Sequence, residues 1–263
     1  MKWLSVAVTL LPFISQGQRL IVPASPTLKD RYPKVSGNLR AKGFLYSFGN
    51  VFDNASKTDT VWFFNESDTV MHIKVVGPAS DPFRLPPDVT VFPTEQDLAP
   101  GRESYFLVTV DGRKAERLGF QVDNLRLLTN DSQIPLKNFS VGSYITEYFP
   151  PMSAEDSLTV PKARMLPTTV DLGKIASGNR AETTVRVYND GIRPLEIRNA
   201  YSGTKELSFE FSGKSVASQD SVSMKITFDT KGVRPGPFRQ RVSLFVSDPT
   251  HPELRLQLSG TIE

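Results

Sequence analysis

The chain has 263 residues, 39% of them hydrophobic, with 20 Pro, 17 Gly and no Cys, which is length for two domains of about 100 residues each and a composition for short strands joined by turns. A formal charge of +3, from 31 basic and 28 acidic residues, leaves no field strong enough to select nucleic acid. The absence of cysteine excludes thiol catalysis, disulfides and a lipid anchor at a cut site. With only two histidines, it leaves carboxylates alone to build a metal site.

Met1 to Gly17, MKWLSVAVTLLPFISQG, reads as a secretory signal. Lys2 opens it, an apolar run from Trp3 to Ile14 follows, and the small residues Ser15 and Gly17 precede a cut before Gln18. Export without cysteine points to the periplasm or surface of a Gram-negative bacterium, because exported eukaryotic Ig-like domains commonly use disulfides. No later stretch is apolar for long enough to span a bilayer. Residues 18–42 are broken by Pro23, Pro26, Pro33 and Gly37 and read as an extended arm, with Arg19 to Val22 as a short edge strand.

A first unit is expected over residues 43–148. Phe44, Tyr46 and Phe48 alternate, Thr60 to Asn65 is β-rich, and Met71, Ile73 and Val75 alternate again. Pro78 to Pro100 reads as loop with one short strand around Val89 to Phe92. Further strands are expected at Tyr105 to Val110, Leu125 to Thr129 and Phe139 to Ile145. Residues 149–164, with Pro150, Pro151 and Pro161, read as an interdomain linker. A second unit follows over 165–263, where seven sets of apolar residues spaced two apart, such as Val185 and Val187 or Leu254, Leu256 and Leu258, place every member of a set on one sheet face. The expected fold is all-β: two tandem immunoglobulin-like sandwiches of seven strands each.

The two units share a pattern. At a constant spacing Gly49 falls on Gly173, Thr60 on Thr184, Val61 on Val185, Asn65 on Asn189, Met71 on Leu195 and Ile73 on Ile197. The turn Asn189-Asp190-Gly191 suits the positive φ that a tight connection demands.

Leu172-Gly173-Lys174-Ile175, the strand ending in Asn189-Asp190-Gly191, Pro194-Leu195-Glu196-Ile197 and the turn Gly236-Pro237-Phe238 together resemble a family of Ig-like domains of unknown function. That family is common in exported Bacteroidetes proteins and distantly similar to Hydin-type and major-sperm-protein-type domains. The resemblance implies a fold and an address, and no activity. Many members carry a Cys-Gly-Cys motif where this chain has Tyr201-Ser202-Gly203, so no thiol or metal role carries over.

Candidate chemistry is sparse. His72 and His251 lie in different units and read as solvent-facing. Gly213-Lys214-Ser215 lacks the earlier glycine and the helix of a phosphate loop, and Glu206 and Glu210 fall on an outer face as ordinary solubilising residues. No cofactor is expected. Trp62 and Phe64 fall opposite the inward pair Val61 and Phe63, so they form either a contact surface or a face covered by the arm or by the neighbouring unit. Thr60, Thr69, Ser157 and Ser221 each follow Asp and precede an apolar residue, a pattern resembling the O-glycosylation signal of exported Bacteroidetes proteins. The sequons at Asn54, Asn65, Asn130 and Asn138 are discounted for a bacterial host.

These features point to a non-catalytic envelope protein that acts as a structural or protein-binding module, with another envelope or surface protein as partner. Two alternatives stand beside it: a periplasmic chaperone-like protein offering an edge strand to a client, and an accessory domain of a glycan- or peptide-processing system.

Overall fold

A computed structural model describes residues 27–263. The signal expected over Met1–Gly17 and the strand expected over Arg19–Val22 lie outside them. The first half contains the helical turn α1 (Leu28–Arg31) and ten strands: β1 (Lys34–Ser36), β2 (Leu39–Ala41), β3 (Leu45–Phe52), β4 (Ser56–Asn65), β5 (Met71–Val76), β6 (Val89–Phe92), β7 (Glu95–Leu98), β8 (Glu103–Asp111), β9 (Gly119–Thr129) and β10 (Leu136–Thr146). They form two facing sheets, ordered β1-β2-β4-β8-β6 and β3-β10-β9-β5-β7. After the short helix α2 (Ala154–Thr159) come β11 (Ala163–Leu166), β12 (Thr169–Ile175), β13 (Arg180–Asn189), β14 (Leu195–Ser202), β15 (Leu207–Phe211), β16 (Ser215–Val216), β17 (Ser221–Asp229), β18 (Gly236–Val246) and β19 (Glu253–Ile262). Their sheets are β11-β13-β17-β15 and β12-β19-β18-β14-β16.

The molecule is therefore all-β, with an immunoglobulin-like sandwich in each half. Period-two alternation is the cause. Val61 and Phe63 on β4, Phe106, Val108 and Val110 on β8, and Leu125 and Leu127 on β9 are buried in one core; Val185, Val187, Met224, Ile226, Val242, Leu244, Leu256 and Leu258 are buried in another. Each such side chain contributes roughly 1.5–3 kcal/mol on burial.

Both halves use one wiring. The entering strand pairs antiparallel on one sheet (β2 with β4, β11 with β13), and the chain then crosses to pair parallel on the other (β3 with β10, β12 with β19). Each parallel pair shifts register at a glycine with left-handed φ, Gly49 at +63° and Gly173 at +67°. A bulge needs that conformation, and glycine adopts it without a Cβ penalty.

Several expectations are corrected. The stretch read as an extended arm over 18–42 contains the hairpin β1–β2, which extends the first sheet, with Leu39 and Ala41 buried in the first core. The linker read over 149–164 contains α2 and the start of β11, two residues before the unit placed at Met165. Pro78 to Pro100 holds two strands, because β7 pairs with β5 although its sequence, EQDL, shows no apolar alternation. Finally, β9 starts at Gly119, well before Leu125; the inward positions ahead of Leu125 are Gly119, Gln121 and Asp123, which give no apolar alternation.

Candidate functional site

The asparagine shared by the two halves is a structural pin. Asn65 and Asn189 are both 0% exposed. Asn65 donates from Nδ2 to the carbonyls of Thr69 (2.8 Å) and Leu98 (2.9 Å), and Asn189 donates in the same way to Arg193 (2.8 Å) and Val216 (3.0 Å). Each Oδ1 accepts the N–H two residues on, from Ser67 and Gly191. One side chain thus closes a corner and ties the strand end to the neighbouring edge strand.

The entering strands are tied down by a second matched group. Asp131 accepts from the backbone N–H of Asn38 (2.8 Å), and Asp248 from that of Ala163 (2.8 Å). Asp131 also accepts from Lys137 Nζ at 2.7 Å, with both side chains fully buried. Burial works against the Asp131 carboxylate, yet its hydrogen bonds from Lys137, Asn38 and Gln133 hold its pKa below the ordinary value.

The expected surface pair divides. Phe64 is 6% exposed and stacks against Tyr32 at 6.2 Å between centroids, so the segment before β2 covers it. Its counterpart Tyr188 lies under the guanidinium of Arg164, 4.4 Å away. Burial, followed by the hydrogen bond to Glu103, pushes the Tyr32 hydroxyl up to about 12. Trp62 is half-buried against Tyr105, 4.8 Å between centroids. Beyond them Leu107 pairs across strands with Phe92, which is 70% exposed. Trp62, Tyr105, Leu107 and Phe92 thus form one uncharged aromatic and aliphatic strip on the outer face of β4, β8 and β6. Positions at the same register in the second sandwich are Arg186, Ser223, Lys225 and Glu210, where Lys225 pairs with Glu182 at 2.9 Å.

The remaining candidates are dispersed. Thr69 is exposed on a turn, while Thr60, Ser157 and Ser221 are half-buried on β4, α2 and β17. His72 is exposed and contacts Asp97; His251 is exposed beside Thr250. Among the described residues no group of three or more His, Asp or Glu is placed to hold a metal ion, and no helix is long and apolar enough to cross a membrane.

Sequence reasoning missed the contact between the sandwiches. The Leu118 N–H donates to Asn199 Oδ1 (3.0 Å), Asn199 Nδ2 returns a bond to the Leu118 carbonyl (3.2 Å), and Arg198 forks onto Glu147 at 3.0 and 2.6 Å. Arg117 lies 4.4 Å from the Tyr201 ring, and Tyr144 packs on Phe245. Gly119 takes φ +102° under the Phe245 ring, where a Cβ would sit 2.9 Å from its carbons. Burial, then the neighbouring Glu253, pushes the Tyr144 hydroxyl up to about 12. Nearby, burial and then the Asp88 charge raise Asp123 to about 6.

The two facing sheets in each half and their strand order place the chain in the Ig-like sandwich class. A sequence-family profile described as "Protein of unknown function (DUF1573)" matches residues 164–262. A protein of unknown function from Porphyromonas gingivalis W83, 14% identical, has the same fold with a TM-score of 0.62 over 86% of this chain and 100% of that one. The chain is also similar, at lower scores, to a PapD-like domain of human CEP192 (17% identical, 45% and 94% covered, TM-score 0.34). A similar score is found with the CupB2 chaperone of Pseudomonas aeruginosa (13%, 82% and 98%, TM-score 0.32). No curated protein matches in sequence.

Proposed function

We propose that this is a non-catalytic protein of a Gram-negative envelope, exported by its N-terminal signal. On this reading two domains of one build, residues 43–148 and 165–263 with their entering strands, present a protein-binding face. One contrast carries the reading: the matched outer positions are the polar Arg186, Ser223, Lys225 and Glu210 in the second sandwich, with Lys225 ion-paired to Glu182, but are Trp62, Tyr105, Leu107 and Phe92 in the first. Leaving such a strip in water forgoes roughly 25 cal/mol for each Å² of apolar surface that a partner could cover. The partner is another envelope or surface protein with an apolar patch of its own. No cofactor enters.

Edge-strand presentation to a client is the weaker reading. The free edges β1, β6, β7, β11, β15 and β16 have five residues or fewer, and β3 and β12 are bulged at glycine. Of the four Asp-Ser/Thr positions, Thr69 is the most exposed, and a glycan there is the first expected decoration.

The test is capture of partners from the host envelope by the exported chain, compared with Trp62→Ala/Tyr105→Ala and with Arg186→Ala/Lys225→Ala. A specific partner is expected to fall at least 10-fold with the first pair and to persist with the second; persistence with the first removes the assignment of the face.

A further inference from the structure

The contact between the two sandwiches has a delivering end and a receiving face, and each has an open counterpart elsewhere in the chain. The delivering end is Arg117-Leu118-Gly119 at the head of β9, beside Tyr144 on β10. At the head of β18 stands Arg234-Pro235-Gly236, again with a left-handed glycine (φ +133°, against +102° at Gly119), beside Thr261. Arg234 and Pro235 are exposed.

The receiving face is Asn199 and Tyr201 on β14, Phe245 on β18 and Glu253 on β19. Cross-strand pairing fixes the equivalents. Asn199 opposite Phe245 corresponds to Lys74 opposite Leu128, Tyr201 to Val76, and Glu253 to Leu136. Lys74, Val76, Leu128 and Leu136 line one groove of about 620 Å³, together with Phe83 and Leu85. Phe83 is 98% exposed, Leu128 47% and Leu136 43%.

Both counterparts change chemistry in the same direction. Leu118 offers Asn199 an N–H; Pro235 has none to offer, and Lys74 has no amide to receive one. Glu253 becomes Leu136, and the opposing end carries Pro235 and Pro237. Arg117 lies over an aromatic ring, and Phe83 supplies an aromatic ring in the groove for Arg234. The groove thus presents Val76, Leu128, Leu136 and Phe83 where the internal contact has a polar face, beside two cations engaged elsewhere, Lys74 with Glu95 and Arg126 with the Gly77 and Pro78 carbonyls, and it is matched by an end that has lost a backbone N–H.

We propose that this groove receives the Arg234–Pro237 end of another copy of the chain, so that copies add head to tail in the way the two sandwiches already dock within one copy. The surfaces differ and do not close on themselves, so the association is heterologous and extends beyond a dimer. The internal contact is assisted by its tether, which acts like a local concentration on the order of millimolar, so the contact between copies is weaker. The Trp62 strip takes no part in it.

Sedimentation velocity of the exported chain, from Gln18 to Glu263, over roughly 5 to 500 µM is the test. The expected result is a mass-average that rises with concentration. Leu128→Arg blocks the groove and Pro235→Arg blocks the end, each adding a cation where cations already face one another and each leaving monomer, and thermal melting checks that each variant is folded. Should Leu128→Arg fail to fold, Leu136→Arg replaces it. An equimolar mixture of the two blocked variants restores a dimer and nothing larger, because one keeps its end and the other its groove. Wild type that stays monomeric throughout, blocked variants that associate like wild type, or a mixture that remains monomeric overturns the proposal.

Discussion

At the scale of single residues, buried polar groups do most of the positioning. Asn189 satisfies two carbonyls that have no access to water, so Asn189→Ala should cost about 2–4 kcal/mol, read as a shift in denaturation midpoint; a loss below about 0.5 kcal/mol would mean the corner is held by something else. Asp123 gives a prediction of opposite sign. Its pKa is raised to about 6 by burial and then by Asp88, so the folded chain binds this proton more tightly than the unfolded chain, where the value is 3.8. With respect to this group stability is greatest below the unfolded value and declines as pH rises through the folded one. Asp123→Asn should therefore stabilise the protein at pH 7.5, by about 1 kcal/mol after allowance for solvent screening, and have little effect near pH 4. Equal effects at both pH values would refute the assignment.

At the scale of elements, the strands that carry long apolar alternation were legible and the short entering strands were not. The pattern aligned β4 with β13 residue for residue, because Val61, Phe63 and Asn65 repeat as Val185, Val187 and Asn189. Leu39 and Ala41 are only two apolar residues among prolines, and a two-residue alternation cannot be told from coil. What fixes β2 is long-range: the Asp131 carboxylate on Asn38, held by Lys137. The same limit applied to the site. Trp62 could be read as outward from parity alone, whereas its neighbours Tyr105, Leu107 and Phe92 required the cross-strand register. The covering of Phe64 required the turn that brings Tyr32 over it. Lys137→Met leaves the Asp131 charge buried without its cation, so it should destabilise the first sandwich by about 3–5 kcal/mol. Calorimetry should then show the second sandwich melting near its original temperature; a single unchanged transition would contradict this.

For the whole molecule, one wiring is built twice and surfaced differently. The outer face of β13 and β17 is charged, that of β4 and β8 is aromatic, and the outer face of β14 and β18 is occupied by the neighbouring sandwich. Function is assigned to the difference between equal frames. The measurement that tests this most directly grafts the outer residues of the second sandwich onto the first, as Trp62→Arg, Tyr105→Ser, Leu107→Lys and Phe92→Glu together. Melting temperature and affinity for the captured partner are then measured on the same sample. The account predicts a folded protein within a few degrees of wild type, with binding reduced at least 10-fold. A grafted protein that unfolds contradicts the matched register, and one that still binds contradicts the site.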